Sequence, residues 1–199
     1  MRFLPSRSRP IPADLERRAR SGLALFEAGR YADAEFAWRT LFADCQRQLG
    51  PAHPETLRTL DRWGSALFRL RRVDESAQRH REAHHRAATS LGAGDPVTLV
   101  YAYNLGCALV VMHQWGEGLP LLEDTLRRQR RKLGQDHAQT LATAKTLGVS
   151  LFMAGDARAG LDLLRSSHER AVRAFGPADP LARDIGENLR VALRNIRTY

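Results

Sequence analysis

Cysteine, lysine and long apolar runs are nearly missing from this chain of 199 residues, and each absence excludes something. Cys45 and Cys107 are the only cysteines, so there is no disulfide framework and no Cys-x-x-Cys motif. Together they favour a reducing, cytoplasmic setting. No apolar stretch reaches the roughly 20 residues a membrane helix needs, which argues against contact with a membrane. The leader Met1–Pro12 has arginines and prolines but no apolar core, so it does not read as a secretory signal. Dinucleotide, phosphate-loop and nucleophile-elbow motifs are absent, and the carboxylates are scattered without an inward pair suited to acid–base work. No cofactor, no metal and no catalytic residue is therefore expected, and the chain is not read as an enzyme. Of 31 basic residues only Lys132 and Lys145 are lysines, and the net charge of +9 is spread along the chain rather than gathered in one segment. Dispersed charge argues against nucleic acid as the principal partner.

What is present is a repeat. Leu49-Gly50, Leu91-Gly92, Leu133-Gly134 and Phe175-Gly176 recur every 42 residues, each just before the matching positions Pro54, Pro96, Ala138 and Pro180. A fixed long period means stacked copies of one small unit. The expected division is a flexible leader over 1–11, units at 12–53, 54–95, 96–137 and 138–179, and a terminal helix over 180–199.

Each unit reads as two helices. The first begins at Pro12, Pro54, Pro96 or Ala138, where a missing or unneeded N–H costs nothing. Asp95 and Asp179 are natural N-caps, and His53 and His137 hold the same place at the other boundaries. Apolar residues follow at helical spacing, as in Leu57, Leu60, Trp63 and Leu67. Gly22, Gly64, Gly106 and Gly148 lie inside these helices in register, which predicts close approach of a neighbour where no side chain fits. The helices should stop at Gly29 or Gly155, or at the polar turns around Arg71 and His113. The second helix carries Ala34, Trp38, Leu41, Phe42 and Cys45 in the first unit, with Leu122, Leu126 and Leu164 at matching places later. Arg18 and Ser21 stand where later units are apolar, which suits an end unit with one face in water.

The Leu-Gly pairs at 105–106 and 147–148, with Trp63-Gly64 and the small residue Ala34, resemble the tetratricopeptide repeat. The segments Leu49-Gly50, His53-Pro54-Glu55-Thr56-Leu57 and Asn104-Leu105-Gly106 are most similar to the 42-residue variety of kinesin light chains. Period alone also admits HEAT or armadillo units, but this register favours the former. The resemblance implies an all-α, right-handed α-solenoid of four helix–turn–helix units plus a C-terminal capping helix. It also implies a protein–protein interaction module, an adaptor, scaffold or regulatory subunit that takes a peptide or helix in a concave groove lined by the first helices.

Counted from the Leu-Gly register, the groove should present Arg58, Arg62 and Arg69, then Tyr103 and Asn104, then Lys145. Arginine grips a carboxylate through paired hydrogen bonds, an asparagine serves both groups of a peptide unit, and tyrosine buries an apolar anchor. A partner segment with an acidic residue beside an apolar anchor fits that set. Asn104 resembles the family's groove asparagine, although its equivalents are Arg20, Arg62, Thr146 and Asn188. His80 and His84, one helical turn apart, align with Trp38 and Phe42 and should face inward as packing rather than bind metal, with Cys45 the nearest further ligand. The run Arg127 to Lys132 ends a second helix, where the dipole favours cations. It leaves a nucleic-acid-associated role as one alternative, and a self-assembling homo-oligomer is the other.

Overall fold

The computed structural model describes residues 10–196. Residues 1–9 of the expected leader and 197–199 of the expected terminal helix lie outside the described residues. Those described fold into α1 (Ala13–Glu27), α2 (Tyr31–Leu49), α3 (Pro54–Arg69), α4 (Val73–Ser90), α5 (Pro96–Val111), α6 (Trp115–Lys132), α7 (Ala138–Met153), α8 (Ala157–Phe175) and α9 (Pro180–Ile196). No strand occurs among them. The fold class is an all-α helical repeat.

Four helix starts are capped by one chemical device with two residue types. Asp95 and Asp179 accept the N–H of Val97 and Leu181 at 2.8 Å. His53 and His137 use Nδ1 in the same way, accepting from Glu55 at 3.1 Å and Gln139 at 3.2 Å. An imidazole substitutes for a carboxylate here only while Nδ1 carries no proton. His53→Ala should therefore cost about 1 kcal/mol in denaturant unfolding, and His53→Asp should restore most of it.

The turn inside each helix pair is also shared. A six-to-one bond closes the end of each first helix: Arg30 N–H to Leu25 O, Arg72 to Leu67, Gln114 to Leu109 and Asp156 to Leu151, all within 2.9–3.0 Å. That closure needs a left-handed residue just before the donor. Gly29 and Gly155 supply it without strain, whereas Arg71 (φ 64°) and His113 (φ 56°) adopt it with side chains attached. Arg71→Gly should raise stability by about 0.5–1 kcal/mol by unfolding midpoint. His113→Gly should gain less, because the His113 ring also packs edge-on against Trp115, 5.1 Å between centroids.

Two compact units divide the chain within α5, one up to Leu105 and one from Gly106. In the first, Leu15, Ala34, Trp38, Leu41, Cys45 and Ala66 form one buried cluster, and Leu57, Leu60, Ala83, Ala87 and Tyr101 another. In the second, Leu141, Leu164, Ala171, Ala182, Ile185 and Ala192 make the core, and α9 closes it with Ile185 and Ala192. The in-register glycines work as expected. A Cβ on Gly22, Gly64, Gly106 or Gly148 would come within 2.9, 2.9, 2.6 and 2.9 Å of Trp38, His80, Leu122 and Leu164. The second helix reciprocates with small residues, Ala34, Ser76, Gly118 and Gly160, all buried. Ser76 also donates to Gly64 O at 2.8 Å.

The first helix departs from expectation at one residue. Arg18 does not simply face water; it donates to Asp44 of α2 at 2.7 Å. That hydrogen bond, outweighing burial, holds the Asp44 carboxyl below its ordinary range. A charged tie thus joins α1 to α2 where Leu60 fills the matching place in α3.

Candidate functional site

Each tight turn reverses the chain, so α1 and α3 run in the same sense. Between them lie two adjoining open clefts. One, of about 270 Å³, is lined by Ile11 just before α1, by Glu16, Ala19, Arg20 and Leu23 of α1, and by Glu55, Arg58 and Arg62 of α3. The other, of about 390 Å³, shares Ile11, Glu16, Glu55 and Arg58 and extends to Pro10, His53 and Pro54. Low numbers on α1 meet low numbers on α3, as same-sense helices require.

Arg62 is the distinctive group. Its guanidinium lies over the Trp38 ring, 5.0 Å from the centroid, and the residue is half-buried. Burial lowers its pKa, the opposing carboxylates Glu55 and Asp61 notwithstanding, yet arginine stays charged at any ordinary pH. Among the described residues no ion pair or hydrogen bond to a carboxylate engages it. A partly desolvated cation without a bonded counter-ion attracts an anion more strongly than a solvated one. Arg20, in the same repeat position on α1, is exposed and likewise makes no ion pair among the described residues. Arg58 is committed: it pairs at 2.5 Å with Glu55, which is only 4% exposed.

Asn104 holds the same repeat position on α5 and is held by a network. Asp61 Oδ1 accepts from Asn104 Nδ2 and pairs with His80 Nδ1, each at 2.8 Å. A carboxylate only accepts, so the His80 proton on this side sits on Nδ1. His80 is 2% exposed with its ring flat on Gly64, the packing role expected from its alignment with Trp38, and His84 is half-buried. Cys45 lies against Thr59, Sγ to Oγ1 4.0 Å, and burial pushes its thiol up. Among the described residues no three His, Cys, Asp or Glu side chains are grouped to hold a metal ion.

The remaining expected residues are placed elsewhere. Arg69, at the end of α3, donates to the Tyr31 hydroxyl and stacks on the Tyr31 ring at 4.2 Å, clasping the α1–α2 turn. Tyr103 is half-buried on α5, while its neighbour Tyr101 enters the core and burial raises its phenol well above the usual range. Lys145 belongs to the second unit and pairs with Asp184 of α9 at 2.5 Å. In the basic run, Arg127 and Arg128 both engage Asp124, and Arg130, Arg131 and Lys132 are exposed at the end of α6. The structure therefore brings Arg58 and Arg62 together and adds Glu16, Arg20, Ile11 and Leu23. The signal for Arg20 was in the sequence: 20, 62 and 104 are one repeat position.

Comparison with known proteins agrees with this architecture. Residues 98–139 match the family model of the tetratricopeptide repeat. No curated protein sequence matches the chain significantly. Among solved structures, a protein from Podosopora anserina described as a kinesin light chain with nearly identical TPR-like repeats aligns with a TM-score of 0.79 at 19% identity. That alignment covers 94% of this chain and 88% of the other. A variant of it gives 0.80 at the same identity and coverage. BtubC (BKLC) from P. vanneervenii aligns at 0.73 and 16% identity, over 90% of this chain and 72% of that one. At these identities the likeness establishes the fold.

Proposed function

We propose that this chain, a tetratricopeptide repeat protein by its fold and by the repeat at 98–139, is a non-enzymatic module that captures a segment of a partner protein on the α1–α3 face. The observation that carries the reading is Arg62, half-buried over Trp38 and without a bonded counter-ion among the described residues. The segment carries a carboxylate beside an apolar anchor. Its carboxylate meets Arg62 and Arg20, and its apolar side chain rests on Ile11, Ala19 and Leu23. Asn104, oriented by Asp61, extends the face by offering its amide oxygen to peptide N–H. Arg58 keeps Glu55 neutralised, so Arg62 is left for the ligand. Arg69 is engaged by Tyr31 and Lys145 by Asp184, and neither they nor Tyr103 is assigned to the segment.

Affinity in such a site comes from one desolvated charge contact and one buried anchor, not from area. Capture of this kind suits an adaptor, scaffold or regulatory subunit, and two cysteines outside any disulfide, one of them buried, suit a reducing cytoplasm. The test is selection from a random peptide display library at physiological salt. Enrichment of Asp or Glu within two residues of Leu, Ile, Phe or Trp is expected. Enrichment of basic or purely apolar sequences would contradict the reading.

A further inference from the structure

The α1–α3 cleft carries both signs of charge, arranged along its length. Glu16 and Glu55 stand at the end next to Pro10, His53 and Pro54. Arg20 and Arg62 stand further along, beside Ala19 and Leu23. From Glu16 to Arg20 the helical rise is about 6 Å, and from Glu55 to Arg62 about 10 Å.

Carboxylates in a first turn are favoured by the helix dipole whatever their use, so their sign alone means little. What distinguishes Glu16 is that no cation pairs with it among the described residues. Asp14, two residues earlier, engages Arg17 and Arg18. Glu16 and Arg20 are four apart on one helix, in the order and spacing at which opposite charges usually close on each other. Among the described residues they do not pair, and both line the cleft. One carboxylate and two guanidiniums without an ion-pair partner among the described residues thus border the same apolar floor of Ile11, Ala19 and Leu23.

Resting on the capture reading above, we infer that the captured segment is dipolar: a Lys or Arg lies two or three residues from the carboxylate, with the apolar anchor between them. The cation meets Glu16 at the His53 end while the carboxylate meets Arg62 and Arg20. An extended peptide advances about 3.3 Å per residue, so two or three residues span the 6–10 Å between the charged groups. Complementary ends add specificity more than affinity, because a like charge placed opposite Glu16 is repelled.

The experiment uses the full chain and three end-blocked peptides differing at one position, Lys-Leu-Phe-Glu, Gln-Leu-Phe-Glu and Glu-Leu-Phe-Glu, each within a Gly-Ser context. Fluorescence anisotropy at 0.15 M salt reads their affinities for the wild type, Glu16→Lys and Arg62→Glu. The wild type should prefer the Lys peptide to the Gln peptide by about threefold to fivefold, the range of an exposed ion pair. Glu16→Lys should invert the order so that the Glu peptide binds best. Equal binding of the Lys and Gln peptides, unchanged by Glu16→Lys but lost with Arg62→Glu, would overturn the dipolar ligand and leave carboxylate capture standing. Binding of none of them, or binding indifferent to Arg62→Glu, would overturn both.

Discussion

Arg62→Glu should lower affinity for an acidic–apolar peptide by at least about a hundredfold, because it removes a desolvated cation and places a like charge against the ligand. The variant should still fold. Arg62 makes no ion pair among the described residues, and its contact with Trp38 is a cation–π stack worth about 0.5–1 kcal/mol. A thermal midpoint lowered by a few degrees, with helicity unchanged, is the expected control. Arg62→Lys should recover only part of the binding, since an ammonium neither lies flat on the indole nor grips a carboxylate with two parallel bonds. Titration of the selected peptides at two salt concentrations checks this. The wild type should weaken with salt, and the reversed variant should show little further loss.

The largest stability effect should come from Gly160→Ala. A Cβ there would stand 2.6 Å from Gly148 O and 2.8 Å from Phe152 N. Both are backbone atoms of α7 and cannot turn aside, so α7 and α8 must separate to admit one methyl. Overpacking of this kind costs about 1–3 kcal/mol when side chains can yield, and Gly160→Ala should lie at or above the top of that range. Gly116→Ala is the matched control. No atom lies within 4 Å of its would-be Cβ, and alanine is the better helix former, so this change should be neutral or stabilising by up to about 1 kcal/mol. Equilibrium unfolding in urea, with both slopes compared, distinguishes the two. Equal stability of the two variants would mean that α7 and α8 do not meet as closely as Gly148 and Gly160 imply.

The repeat made much of the fold legible. Residues 54, 96 and 138 begin helices α3, α5 and α7 as the sequence suggests, and the first helix begins one residue after Pro12. The glycines at 22, 64, 106 and 148 sit against the side chains 16 positions later, in agreement with the packing reason inferred from their register. Backbone geometry and packing repeat with the sequence, so a period reveals them. The site is less periodic and was less legible. Arg20 shares its repeat position with Arg62 and Asn104, but whether such a residue lines a cleft or enters a pair depends on neighbours in other helices. Arg18 turns to Asp44, and Asn104 is bound to an acid that also engages His80. Neither pair of residue types recurs at the matching positions of another repeat, so no repeating signal announces them.

Methyl-resolved NMR of the wild-type chain, titrated with an acidic–apolar peptide, tests the capture face most directly. Ile11 and Leu23 line the cleft, while Val191 of α9 is exposed in the other compact unit and serves as an internal reference. Shifts of the Ile11 and Leu23 methyls that saturate with the peptide, and disappear in Arg62→Glu, are the expected result. Saturable shifts at Val191 or elsewhere in residues 106–196, with Ile11 and Leu23 unmoved, would place binding on another surface and contradict recognition at Arg62.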